Sequence, residues 1–398
     1  MRPLPDVAPG LDGASVESLL SDLQQVMDGA YQPSHPGALA HLDPPPLTAS
    51  IAAELVCAGL NNNLLAEELS PGLTGLEHDL CRWFCHRIGL PAGSGGVLAS
   101  GGTLSNLMAL VAAREALKAN HRDPVLLCSQ DAHVSINKSA KVMGLADDAL
   151  QTLPVAADGG LCLEALAKRL RALQAEGRPC LAVVATAGTT VRGAIDPLSD
   201  LATLCRDAGV WLHVDAAIGG VFALTARHAS LMDGMESADS ITLNPQKLLG
   251  ITKASSLLLL RDRTHLRQAF STGLPYMEAP KGMDHGGEIG LQGTRPAEIL
   301  KLWLGLRQLG EAGIEATLSG ALQRRTAFAA QLDPEKVTLL PGDLHLLAFH
   351  PKHGDAAAAG RWSEDTRQML LSHGYMLSRP FYGDRFCLKA VFGNPHTT

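Results

Sequence analysis

"CLAVVATAGTTVRGAIDPLSDLATLCRDAGVWLHVDAAIGG", residues 180–220, decides the fold. Its first run, "CLAVVATAGTT", is continuously apolar rather than alternating, the mark of a strand covered on both faces. Pro197 then stands at a first helical turn, where a missing N–H costs nothing, and Gly209 falls just past the helix end. A second buried strand, "VWLHVD" (210–215), follows at once. Strand, helix, strand in this order makes a parallel pair with a right-handed crossover. The second strand stops at Asp215. A carboxylate at the end of a buried strand is costly unless something positive or hydrogen-bonding meets it. Ala216, Ala217, Gly219 and Gly220 leave room beside it. The stretch reads as a socket.

The same alternation runs outward in both directions. "GGVLASGG" (95–102) is a short strand opening into glycines, followed by a helix with Leu107, Leu110, Val111 and Leu117 on one face. "PVLLCSQDAH" (124–133) is a strand and turn, "SINKSAKVMG" (135–144) a helix and "SITLN" (240–244) another strand. Helical spacing over 14–30, 48–60 and 74–88 precedes them. A long helical stretch over 298–331 leads into "VTLLPGDLHLLAFHP" and "RFCLKAVF", the strands of a smaller α+β unit. The expectation is an α/β fold with a mostly parallel central sheet. It divides into an N-terminal helical segment (1–50), a large domain (51–310) and a small C-terminal domain (311–398).

Bulk composition narrows the function. A formal net charge of -7 and the lack of any Lys/Arg-rich run argue against nucleic acid as a partner. No apolar run approaches the ~18 residues of a membrane span, and the prolines and aspartates of "MRPLPDVAPGLDG" do not suit a signal peptide. The sequence reads as a soluble cytoplasmic protein. Its eight cysteines contain no CxxC pair. Cys81 and Cys85 share a helix face and read as two buried thiols, and no metal is expected. His345, His350 and His353 fit no metal spacing and read as solvated surface.

In open parallel sheets, ligands bind beyond the carboxyl ends of the strands. Several strands release polar residues there: Gly101, Gly102 and Thr103; His133; Thr186; Asp215; Asn244, with Lys247 three residues on. "SGGT" before a helix suits a phosphate, because free N–H groups and the helix dipole favour an anion. It matches neither the triphosphate nor the dinucleotide fingerprint. Singly, each residue has a plain reading: a capping turn, a strand-end cap, a surface lysine, a loop histidine. Together they meet the needs of pyridoxal 5'-phosphate (PLP). An amine bonds its aldehyde, a carboxylate pairs with the protonated ring nitrogen, and backbone amides hold its phosphate.

"ASGGTLSN", "DAHVSINKSA", "ATAGTT" with "GAIDPL", "HVDAAIGG" and "NPQKLLG" occur in an order that resembles the group II PLP-dependent amino-acid decarboxylases. "LNNNLLAEELSPGLTGLE" and "LQGTRPAEILKLWLGLRQLG" extend the likeness over roughly residues 35–398. The resemblance implies a fold-type-I PLP enzyme that decarboxylates an L-amino acid. It also implies a homodimer with its active site at the subunit interface. It gives Lys247 the covalent bond to the cofactor, Asp215 the ring nitrogen and His133 the stacked imidazole. Gly102, Thr103 and Asn244 become phosphate contacts, and Thr186 and Ala217 pack against the ring.

The sequence also departs from that family. Gln246 stands where a histidine is usual before the lysine. The loop tyrosine that protonates the substrate carbon has no counterpart at its place, near Asp284 or His285; the only loop tyrosine is Tyr276. His285 is the candidate replacement, with a solvent-facing loop histidine as the plain alternative. Glycines 282, 286 and 287 suit a mobile lid. Lys389 stands where glutamate- and sulfinate-acting relatives carry an arginine against the substrate carboxylate, and "LKAVFGNPHTT" is closer to the bacterial diaminobutyrate branch. Family members continue past "NPHTT" into a last helix. Asn61 and Asn63 approach the pocket or pack at a helix end. Two other readings stay open in the sequence: a PLP-dependent aldehyde synthase or other lyase, and a non-catalytic dimeric scaffold.

Overall fold

The computed structural model describes residues 4–5, 7–117, 123–273 and 282–397. Its centre is a seven-stranded sheet: β1 (Gly95–Ala99), β2 (Val125–Ser129), β3 (Leu150–Leu153), β4 (Cys180–Thr186), β5 (Trp211–Ala216), β6 (Ser240–Leu243) and β7 (Ser256–Leu260). The strand order is β1-β7-β6-β5-β4-β2-β3. Only β7 runs against its neighbours; the other strands share one direction. This is the mostly parallel sheet expected, with two strands the sequence reading missed. β3 is four residues with polar side chains in the middle, and "SLLLL" of β7 is an apolar run too short to tell from a helical segment.

Ten helices complete the chain among the described residues: α1 (Val16–Met27), α2 (Thr48–Leu60), α3 (Pro71–Ile88), α4 (Gly102–Ala116), α5 (Ser135–Val142), α6 (Leu163–Glu176), α7 (Leu198–Ala208), α8 (Thr264–Phe270), α9 (Ile299–Gln331) and α10 (Ala356–Ser372). They cover both faces of the sheet. Val183 and Ala185 of β4 join one core with residues of α3, α6, α7 and α9. Their alternates, Ala182 and Val184, join a second core with α4, α5 and α8. That two-sided burial is why β4 carries no polar alternation.

The C-terminal unit is a three-stranded antiparallel sheet, with β8 (Val337–Leu339), β9 (Leu346–Pro351) and β12 (Leu388–Val391) in the order β12-β9-β8. A short hairpin, β10 (Phe381–Tyr382) and β11 (Arg385–Phe386), lies beside it. Helix α9 reaches this unit after a break at Gly310, whose φ of 61° lies in the left-handed region. Part of the N-terminal segment belongs here too. Leu39 is buried in the small core, its N–H donates to Met376 O (3.1 Å), and its carbonyl accepts from Val391 N–H (2.8 Å). Eight residues on, Leu47 N–H donates to Gly250 O (2.8 Å), so residues 39–47 strap the two units together.

The C-terminal histidines behave differently from expectation. His345 is fully buried rather than solvated, stacks on Phe222 at 6.3 Å, and has no partner for either ring nitrogen. Burial drives its pKa down to about 3, so the ring is neutral. It precedes a strand covered on both faces, where histidine spacing says nothing about exposure. His350 is half-buried and His353 exposed. Cys81 and Cys85 are buried thiols, as read.

Candidate active site

Beyond the carboxyl ends of the parallel strands, five connections surround a cavity of about 220 Å³. Gly102 and Thr103 come from the turn after β1, and His133 from the turn after β2. Thr186, Gly188 and Thr190 follow β4; Asp215 and Ala217 end β5; Asn244, Gln246 and Lys247 follow β6. A larger hollow of about 370 Å³ between α6 and α7 brings together no comparable set of groups.

Asp215 is 5% exposed. Its Oδ1 accepts from Ala217 N–H (3.2 Å) and its Oδ2 from Asn106 Nδ2 (2.8 Å). Next to it in register is Thr186, whose buried hydroxyl has no hydrogen-bond partner among the described residues. Lys247 closes the turn after β6, and no carboxylate of the described residues lies within ion-pairing distance of it. Burial lowers the pKa of its amine, and the charge of Asp215 opposes that shift. A less basic amine is a better nucleophile near neutral pH.

Gly101 opens α4 with φ +138°, and a Cβ on Gly102 would come 3.0 Å from Asn244 Nδ2. Asn244 is itself held by Ser256, whose hydroxyl donates to Asn244 Oδ1 (2.6 Å). The turn therefore leaves bare backbone at a helix start, where N–H groups favour an anion. His133 lies over the same cavity, with Nδ1 facing Ser135 Oγ (2.8 Å) and Ser135 N–H (3.2 Å). Burial lowers its pKa, Asp215 pulls it up, and Lys247 and Lys138 push it further down.

These residues fit PLP. Among the described residues there are an anion cradle that a side chain would fill, a hydroxyl without a partner, a half-buried amine without an ion-pair partner and a carboxylate, all lining one small space. Gly102, Thr103, His133, Thr186, Asp215, Ala217, Asn244 and Lys247 all line the cavity, and Gly101 starts the helix below it.

His285 does not line the cavity of its own chain. It is 7% exposed rather than solvent-facing, and its Nδ1 accepts from Glu67 N–H (3.1 Å). Two of the neighbouring glycines, Gly286 and Gly287, are closely packed, whereas a Cβ on Gly282 would meet nothing nearer than Glu67 Oε1 at 3.9 Å. A Cβ on Gly286 would sit 2.2 Å from Leu64 O, and one on Gly287 2.5 Å from Leu65 Cδ1. Both are glycine so that the segment can lie flat against residues 64–65. Tyr276 lies outside the described residues. Asn61 caps α2 in the left-handed region, and Asn63 Oδ1 accepts from Leu65 N–H (2.9 Å) and Arg295 N–H (3.3 Å). Neither asparagine lines the cavity of its own chain. Gln246 does, and its Oε1 accepts from Ser255 N–H. Lys389 on β12 reaches the rim, donating from Nζ to Thr190 O (3.4 Å), and burial and Lys247 lower its pKa.

Asn106, Ser135 and Thr190 were passed over in the sequence. Asn106 lies inside the quoted "SGGTLSN", four residues after Gly102, so one helical turn carries it below the glycine cradle. A polar residue in an otherwise apolar helix face was the available signal.

The family described as "Pyridoxal-dependent decarboxylase conserved domain" matches residues 1–346. L-2,4-diaminobutyrate decarboxylase of Rhizobium meliloti (strain 1021) is 34% identical over 415 residues, covering 100% of this chain and 81% of that one. The Acinetobacter baumannii enzyme of the same name is 32% identical over 329 residues, covering 76% of this chain and 64% of that one. Among solved structures, Oryza sativa TDC with PLP and tryptamine superposes with a TM-score of 0.92 over 98% of this chain and 86% of that one. Its identity of 23% speaks for the fold alone.

Proposed function

Because the chain belongs to the pyridoxal-dependent decarboxylase family, and so is an enzyme that removes CO₂ from an amino acid with PLP, we propose that its substrate is a short L-amino acid of the 2,4-diaminobutyrate type. The observation that carries the chemistry is the convergence of Asp215, Lys247, His133 and Thr186 on one cavity. Bound PLP supplies an electron sink for the pair left on the α-carbon when CO₂ departs. Lys247 supplies the amine that anchors the cofactor covalently. The Asp215 carboxylate keeps a proton on the ring nitrogen, because a buried anion makes losing that proton costly. His133 holds the ring plane. The α4 N-terminus binds the phosphate. Thr186 offers its unpartnered hydroxyl to the ring.

The substrate reading is supported by the two bacterial relatives, both named for L-2,4-diaminobutyrate. It is also supported by Lys389 at the cavity rim. An ammonium is a compact point charge, whereas the guanidinium usual in acid-acting relatives grips a carboxylate with two parallel bonds. A panel of amino acids assayed for CO₂, amine and ammonia tests it. Diaminobutyrate is expected to give CO₂ and amine in equal amounts, without ammonia, at least tenfold faster than glutamate or cysteine sulfinate. Ammonia and aldehyde as products would turn the reading to an aldehyde synthase. Preference for an acidic substrate would refute the role given to Lys389.

We further propose a cytoplasmic homodimer. All eight cysteines are free thiols, which suits a reducing compartment. No helix of the described residues is long and apolar enough to cross a membrane. Helix α1 buries nothing, exposing Val16, Leu19, Leu20, Leu23 and Val26, and α2 exposes Ile51, Leu55, Val56 and Leu60. An apolar stripe of this length suits burial against a second copy. Any part for His285 in the reaction then falls at the partner's cavity, since it is absent from its own. Mixing Lys247→Ala with His285→Ala under subunit exchange is expected to restore activity, because one site of the mixed dimer carries neither change. A monomer by light scattering, or verified exchange with no recovery, would sink the arrangement.

A further inference from the structure

One hydrogen-bonded chain runs behind the cavity and is buried along its length up to His133, which is half-buried. Trp211 Nε1 lies 2.9 Å from Ser240 Oγ, which lies 2.9 Å from His213 Nδ1. His213 Nε2 lies 3.0 Å from Asn106 Oδ1. Asn106 Nδ2 lies 2.8 Å from Asp215 Oδ2 and 2.9 Å from Ser135 Oγ. Ser135 Oγ lies 2.8 Å from His133 Nδ1. Asn106, Ser135, His213 and Ser240 are each 1% exposed or less. We infer that Asn106 and His213 are positioning residues which, through this chain, hold Asp215 as an anion and His133 as the neutral Nε2–H tautomer.

The direction of the chain is fixed from the Asp215 end. The ionised Asp215 carboxylate can only accept. Asn106 must therefore show it the NH₂ group and turn Oδ1 to His213, which has to be a donor there. That places the ring proton of a neutral His213 on Nε2 and leaves Nδ1 to accept from the Ser240 hydroxyl, which itself accepts from the Trp211 indole. Burial holds His213 neutral, with a pKa of about 4 against the pull of Asp215.

The second Asn106 proton goes to Ser135 Oγ, which leaves the Ser135 hydroxyl proton for His133 Nδ1. The Ser135 backbone N–H points at the same nitrogen (3.2 Å). With two donors aimed at it, Nδ1 has no room for a proton. The charged groups facing His133 are Asp215, Lys247 and Lys138, and the two lysines oppose its ionisation. A neutral ring beside the cofactor adds no second positive charge to compete with the proton that Asp215 holds in place. One amide thus serves both residues.

The inference rests on the PLP assignment above, so its test begins without cofactor. Histidine-¹⁵N spectra of apoprotein and holoprotein are expected to show His133, identified by its loss in His133→Gln, as Nε2–H from pH 6 to 9. A His133 signal protonated at Nδ1, or titrating across that range, overturns the proposal. Asn106→Asp keeps the shape and exchanges the donor for an acceptor. His133 is then expected to titrate at least one pH unit higher, with kcat down tenfold or more and KM within threefold. His213→Gln keeps a donor at the Nε2 position and is expected to resemble wild type in spectrum and kcat, whereas His213→Leu is expected to behave like Asn106→Asp. If His213→Gln and His213→Leu behave alike, a merely structural role stands and the proposal falls, whether or not Asn106→Asp folds. Should the tautomer be as stated while the pyridoxyl group maps to a lysine other than Lys247, it is the cofactor assignment that fails.

Discussion

Asp215→Ala is expected to lose turnover by about a thousand-fold or more while keeping its fold and most of its cofactor. The two effects separate because the contacts separate. In the proposed arrangement the phosphate is held by the α4 turn at Gly101–Thr103 and by Asn244, which hydrogen-bonds to Ser256. The Asp215 carboxylate is held by Ala217 N–H and the Asn106 amide and lines the cavity. Removing it takes away the anion that keeps the ring nitrogen protonated, and an unprotonated ring is a poor electron sink. Cofactor content by absorbance, circular dichroism and kcat from CO₂ release check all three claims. Activity within tenfold of wild type would remove Asp215 from the role.

Lys247→Ala is expected to abolish covalent capture and to lower turnover by about ten-thousand-fold. Borohydride reduction of the wild type, followed by peptide mapping, should place the pyridoxyl group on Lys247 and nowhere else. The nearest competitor in sequence is Lys253, and the structure separates the two. Lys253 is more than half exposed, and its amine pairs with Asp43 at 2.5 Å. Lys247 is half-buried, has no carboxylate of the described residues within ion-pairing distance, and its amine is less basic. Label on Lys253, or unreduced cofactor released intact, would refute the assignment.

Most of the sheet could be read from the chain because two-sided burial leaves continuous apolar runs, and β4 and β5 are such runs. The residues at their ends were legible for the same reason: Asp215 and Thr186 interrupt an apolar pattern and need an explanation. β7 stayed hidden because direction is not written in five apolar residues, only in what they pair with. Asn106 stayed hidden because its role depends on a helix after β1 crossing under the end of β5, a juxtaposition of residues 109 positions apart. His345 shows the converse. Its neighbours in sequence suggest a surface strand, yet α9 and the large domain cover it. Gly286 and Gly287 read as hinges in the sequence, since glycine permits both freedom and close approach, and only the folded chain shows Leu64 O against one and Leu65 against the other.

The strap over residues 39–47 sets a limit on how this enzyme can be trimmed or tagged. Helix α1 contributes no buried residue, so exchanging it for a purification handle would cost its apolar stripe rather than core packing. Cutting through Leu47 is another matter. Val391 lies two residues from Lys389, and Gly250 three from Lys247. The strap is hydrogen-bonded to both, at Leu39 and Leu47. It spans from the strand that carries Lys389 at the rim to the turn after Lys247, and a protein cut at Leu47 is expected to lose that tie between the two segments.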